Sequence, residues 1–141
     1  NGLLDPIEVT VVETDPDIEL HLAPAAEFAG VLLSFPPVNL GFFYVWWDDS
    51  GAITEGVILI STTGITPEER AHLIREELTQ SLGLLNDSPL YDDSIFQLEW
   101  TTTNRYSPLD RALIQMLYRP ELTPGMTVAE ALAALEAIPR R

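Results

Sequence analysis

Cysteine is absent from this 141-residue chain, so disulfide frameworks, thiolate zinc sites and cysteine nucleophiles are all excluded. Lysine is absent too, and the 7 basic residues, all arginine, stand against 22 Asp and Glu, leaving a formal charge of −15. Phosphate binding needs a basic patch, so this balance argues against nucleic acid as a partner. An acidic surface instead attracts cations and repels anionic membranes. Long hydrophobic runs are also missing. Residues 41–47 and 57–60 are the longest, well short of the roughly 18 residues of a membrane span. No signal peptide is legible, as would also hold for a chain that had already lost one.

What is present is a 46% hydrophobic chain of a length that suits one domain. A domain of this size buries roughly 70% of its unfolded surface, enough for a core without staples. The first half, residues 1–61, reads mainly as strands. Residues 7–13 (IEVTVVE) alternate apolar and polar side chains, Asp15-Pro16-Asp17 turns the chain, and residues 18–22 (IELHL) alternate again. Pro24, Gly30, Pro36 and Pro37 make residues 23–37 an irregular excursion. Residues 40–47 (LGFFYVWW) and 54–61 (TEGVILIS) flank the turn Asp48-Asp49-Ser50-Gly51 and read as a hairpin or adjacent strands.

The second half reads as helices. Thr66-Pro67-Glu68-Glu69 combines a capping Thr, Pro at the first helical position and Glu three residues on, which predicts a helix from Pro67 to Leu82 that stops at Gly83. Ser107-Pro108-Leu109-Asp110 opens a second helix, running to about Tyr118, and Thr127-Val128-Ala129-Glu130 opens a third, ending near Ile138. Residues 84–106 form a loop-rich segment. Strands followed by helices in one chain of this size imply an α+β fold, with a mixed twisted sheet in the N-terminal half.

Chemistry concentrates in residues 75–87 (REELTQSLGLLND). Residues 76, 77, 80 and 83 fall on nearly one helical face, because three to four residues make a turn. Ile74, Leu78 and Leu82 occupy the neighbouring face and are expected in the core. Glu76, Glu77 and Gln80 then lie at the edge of that core, not out in water. A carboxylate placed there needs hydrogen-bond donors or a counter-charge, for which Arg70 and Arg75 are candidates.

This spacing resembles the zinc-binding helix of metzincin peptidases, His-Glu-x-x-His-x-x-Gly-x-x-His/Asp. Glu76 stands in place of the first His, Glu77 matches the catalytic Glu, and Gln80 replaces the second His. Gly83 matches the turn Gly, and Asn86 or Asp87 falls at the third ligand. The stretch YDDSIF (91–96) is similar to their Met-turn, with Phe96 in the Met place, and residues 106–120 resemble their C-terminal helix. A closer resemblance is to the bacterial family catalogued as domain of unknown function 2927. The segments that carry it are residues 76–87, Ser94-Ile95-Phe96 and residues 117–126, and the likeness spans most of the chain after Gly41. It implies a zincin-like single domain with no assigned activity, in proteins that are exported to the periplasm or beyond.

Zinc prefers imidazole, and Gln80 offers only a neutral amide oxygen. Glu76 with Gln80 and Asn86 or Asp87 would make an oxygen-only set better suited to calcium, magnesium or manganese, and His72, one turn before Glu76, offers a separate His/Glu metal pair. No zinc and no other cofactor is expected from this donor set. Glu77 keeps the general-base position, but without a metal it has no activated water to serve. The expected arrangement is a polar network in which Glu76 and Gln80 face the turn at residues 92–96, around Ser94, and replace the metal as a clasp. His72 reads as a hydrogen-bonded surface residue and His21 as part of the polar face of a strand. Asp48-Asp49 and Asp92-Asp93 read as solvated turns that do not fit the spacing of a calcium loop. The aromatics at 42–47 read as core and sheet face.

Two functions are compatible with these residues. One is a non-catalytic, degenerate metallopeptidase acting as a binding or structural module of the bacterial envelope. In it the strand at 54–61 accepts an extended peptide from a protein or peptide partner by strand addition. The other is a divalent-metal-dependent hydrolase with an altered Glu/Gln/Asp centre and Glu77 as general base. The sequence does not fix the oligomeric state.

Overall fold

The computed structural model describes residues 7–33 and 39–139. Three strands form one sheet in the order β1-β3-β2, with β1 at Ile18–Ala23, β2 at Gly41–Trp47 and β3 at Ile53–Ser61. β3 runs antiparallel to β2, as the Asp48–Gly51 turn signal predicts, and parallel to β1, with Leu20 beside Ile58 and Phe43 beside Ile58 on its other side. The uninterrupted apolar run at 57–60 suits a strand covered on both faces. On one face Leu59 packs with Phe28 from α1 (Phe28–Val31). On the other, Ile58 and Ile60 pack with Leu73 from α2 (Pro67–Ser81). The result is a mixed α+β architecture in which α1 and α2 sandwich a small sheet.

Each of the later helices starts where its capping residues say. Thr66, Ser107 and Thr127 each accept a hydrogen bond from the backbone N–H three residues on, and Glu69, Asp110 and Glu130 reciprocate, opening α2, α3 (Pro108–Leu117) and α4 (Val128–Glu136). α2 ends at Ser81, one residue before the predicted Leu82, and Gly83 takes φ +123°, a conformation that favours glycine. Tyr118, just past α3, donates its hydroxyl to the Leu82 carbonyl at 2.6 Å and so ties the end of α3 to the end of α2.

Residues 7–13 form no strand. Alternation marks a face and does not by itself form a ladder, and Val11 and Val12 are exposed. Within the expected irregular excursion, Ala25–Glu27 is a single 3-10 turn leading into α1, and residues 34–37 lie outside the described residues. The strand at 54–61 proves to be central, not free. With both ladders of β3 already occupied it cannot accept a peptide, and among the described residues the sheet edges are β1 and β2. The aromatics of β2 divide along the strand: Phe42 and Phe43 at its start pack on the two clusters, one on each face, whereas Tyr44, Trp46 and Trp47 farther along are exposed. Among the described residues, no helix is long and apolar enough to cross a membrane.

Candidate functional site

The polar face of α2 is more deeply buried than its apolar neighbour. Glu76, Glu77 and Gln80 are 8%, 7% and 4% exposed, while Ile74, Leu78 and Leu82 are only half-buried and Leu73 takes the core position. The edge-of-core placement read from the spacing is therefore deeper than expected. One cause is that β2 opens with glycine. A Cβ on Gly41 would lie 2.7 Å from Glu77 Oε1 and 2.8 Å from Leu73 Cδ2, so its absence lets α2 press these side chains onto the strand.

His72 is buried at 3% exposure, which corrects its reading as a surface residue. Long-range packing decides this, since the carbonyl it meets comes from Thr103, 31 residues away. A carbonyl only accepts, so Nδ1 carries a proton and donates to it at 2.5 Å. The other ring nitrogen, Nε2, faces Glu76 Oε2 at 3.2 Å, and a hydrogen bond there requires the imidazolium. Burial opposes the charged ring. The Glu76 hydrogen bond, the Thr103 carbonyl and the charges of Glu76 and Asp87 outweigh it, and the His72 pKa is raised. The ring and carboxyl are thus a buried pair within one helical turn, ionic whenever the ring is protonated.

Gln80 donates from Nε2 to Asp87 Oδ1 at 2.5 Å, joining α2 to the segment that follows it. Asp87 is an exposed residue with this carboxyl oxygen turned inward. Burial of the group, then the Glu76 charge, raises its pKa against the opposing effects of Gln80 and His72. Glu77 has no hydrogen-bond partner among the described residues. Burial first, and then the charges of Glu76 and Asp87, push its pKa up to about 8, so it is mostly the neutral acid at pH 7.

These groups line one cavity of about 130 Å³, which Gln97 to Thr101 also border. Asn86, the alternative third-ligand residue, is exposed and does not line it. A larger concavity of about 600 Å³ bordered by Arg119, Glu121, Ile138 and Pro139 holds none of this chemistry, and its two charged residues are closed on each other at 3.0 Å.

The clasp on the 92–96 turn comes from elsewhere than expected. Gln80 and Glu76 spend their bonds on Asp87 and His72. The turn is held instead by the fully buried Asp110 of α3, which accepts from Ser94 Oγ at 2.6 Å and from the Ile95 N–H at 3.0 Å. Arg70 and Arg75 do not serve as counter-charges. The Arg70 guanidinium donates to the carbonyls of Ser61 and Thr62, while Arg75 bonds Asn104 and stacks on Tyr106. Their side chains project from other faces of the helix, toward the end of β3 and toward the 104–106 segment. Asp48 and Asp92 act within their own loops, accepting from Ser50 and from Gln97, and His21 pairs with Glu19 on β1.

Gln97, Trp100 and Thr103 belong to the site and were missed, because no helical spacing or cap marks them. The usable signal was their position directly after the buried Ser94-Ile95-Phe96 turn, which returns the chain to α2.

The donor set does not fit the zinc that the peptidase resemblance implies. The one imidazole is engaged at both nitrogens, the Gln80 amide is turned to Asp87, and no group of three or more His, Asp or Glu among the described residues is arranged to hold a metal ion. No protein of curated function and no solved structure matches the chain. A family model does, over residues 7–137, and by that match the chain belongs to the family described as protein of unknown function (DUF2927).

Proposed function

We propose that this chain is a non-catalytic binding module on a zincin-like scaffold, a degenerate metallopeptidase exported to the bacterial envelope. The observation that carries this reading is the mutual satisfaction of the motif side chains. His72 with Glu76, and Gln80 with Asp87, are bonded to each other where a metallopeptidase would present its ligands. The topology is compatible with the scaffold: an antiparallel edge strand β2, then β3, then the motif helix α2.

The alternative, a hydrolase with an altered metal centre, has one observation in its favour. His72 donates Nδ1–H to a backbone carbonyl and turns Nε2 toward Glu76, the orientation that metal-binding histidines adopt. Among the described residues, no group of three His, Asp or Glu completes such a centre. The readings separate when purified protein is incubated with a fluorogenic peptide library in the presence of zinc, manganese or calcium. The module reading expects no turnover beyond that of Glu77→Ala. Metal-dependent turnover that Glu77→Ala abolishes would overturn it.

A further inference from the structure

We propose that the cavity beside α2 receives a basic side chain of a partner protein or peptide, with its cationic head among Glu76, Glu77, Asp87 and Gln97 and its alkyl stem across Leu98 and Trp100. This rests on the reading of the region as a non-catalytic binding site and names the chemistry of its ligand. The first observation is an imbalance of acceptors over donors. His72 serves Glu76 and Gln80 serves Asp87, but the Glu77 carboxyl has no hydrogen-bond partner among the described residues.

The second observation is independent of the acids. Gln97 is 8% exposed, and its Nε2 is anchored on Asp92 Oδ1 at 3.1 Å, which fixes the other end of the amide as an acceptor. That Oε1 is buried and has no partner, in a residue that lines the cavity. Orphaned buried acceptors are rare because the lost hydration is costly. A donor-only group that enters the cavity meets the Glu77 carboxyl and lies beside the residue that carries the orphaned acceptor. Lysine brings three N–H donors and arginine five, and neither brings an acceptor; a cation seated beside Glu77 also favours its ionised, acceptor-only form over the neutral acid.

The mouth suits the rest of such a side chain. Leu98 and Trp100 are 60% and 58% exposed, and the Trp100 ring is pinned by its Nε1–H to Glu69 Oε1 at 2.9 Å. An aromatic face beside acids accommodates a methylene stem and attracts the cation at its end. The volume, about 130 Å³, admits one side chain and is small for a whole drug-sized ligand. The formal charge of −15 draws basic partners toward the chain at long range.

The test follows the Trp100 indole N–H resonance of the intact protein during titration with Nα-acetyl-lysine methylamide, its arginine counterpart and its neutral norleucine counterpart. Saturable 1:1 binding of a basic probe is expected, with norleucine at least about tenfold weaker, as befits hydrogen bonds to charged groups. The better of the two basic probes identifies the side chain. Gln97→Leu is expected to weaken binding about tenfold. Trp100→Ala, at an exposed position that cannot unfold the core, is expected to do so when followed by calorimetry. Equal binding of norleucine, or no saturation by either basic probe, overturns the proposal. A silent titration without metal-dependent turnover removes only this ligand assignment. Turnover that depends on Glu77 removes the binding-module reading beneath it.

Discussion

Glu77 shows how one side chain records its surroundings. Its carboxyl stays protonated up to about pH 8 in the folded chain, against about 4.3 for a free Glu side chain. Between those values the folded state holds a proton that the unfolded state has released. Stability therefore falls as pH rises through the window, by at most about 1.4 kcal/mol per pH unit for this one group. The raised pKa values of His72 and Asp87 act in the same direction, each contributing stability that is lost as pH rises through its folded value. Urea midpoints at pH 5, 6.5 and 8 are expected to fall in that order, and Glu77→Gln, which cannot titrate, is expected to flatten the slope. Parallel slopes for the two proteins would contradict the burial of a protonated carboxyl. Asp110 is the other residue whose role is decided by depth. At 0% exposure it accepts from Ser94, Ile95 and the Ser107 N–H, so Asp110→Ala leaves several buried donors unpaired. A loss of about 3 kcal/mol is expected in equilibrium unfolding.

At the scale of elements, the site depends on how closely α2 approaches β2. Gly41→Ala puts a methyl group against Glu77 Oε1 and Leu73 Cδ2, and a destabilisation of about 1–3 kcal/mol is expected. Glu77→Ala removes one of the two obstacles. The double variant is then expected to be more stable than the sum of the singles, and a double-mutant cycle with no coupling would contradict this packing. The elements also show what a sequence exposes. The starts of α2, α3 and α4 were legible because a capping box lies within four consecutive residues, and the end of α2 because Gly83 needs a backbone conformation other residues resist. The absent strand at 7–13 and the central place of β3 were not, since alternation reports two faces but never which ladder is available. Asp110 was visible only as a cap. Its grip on the Ser94 turn, like the burial of His72 on Thr103, depends on partners 16 and 31 residues away that local spacing does not reveal.

For the whole molecule, Glu76, Glu77, Gln80 and Asp87 line one cavity, and their bonding differs from that of a metal centre. His72 is matched to Glu76 and Gln80 to Asp87, while Gln97 Oε1 has no partner, an arrangement that suits a cationic guest better than zinc. The most direct test of this account is the urea midpoint of the intact protein with 1 mM zinc, calcium or manganese, compared with the same protein in chelator. A metal held at a hundred times its dissociation constant would add about 2.7 kcal/mol to stability. The account predicts coincident unfolding curves. A metal-dependent rise of that order, saturating at one ion per chain, would contradict it.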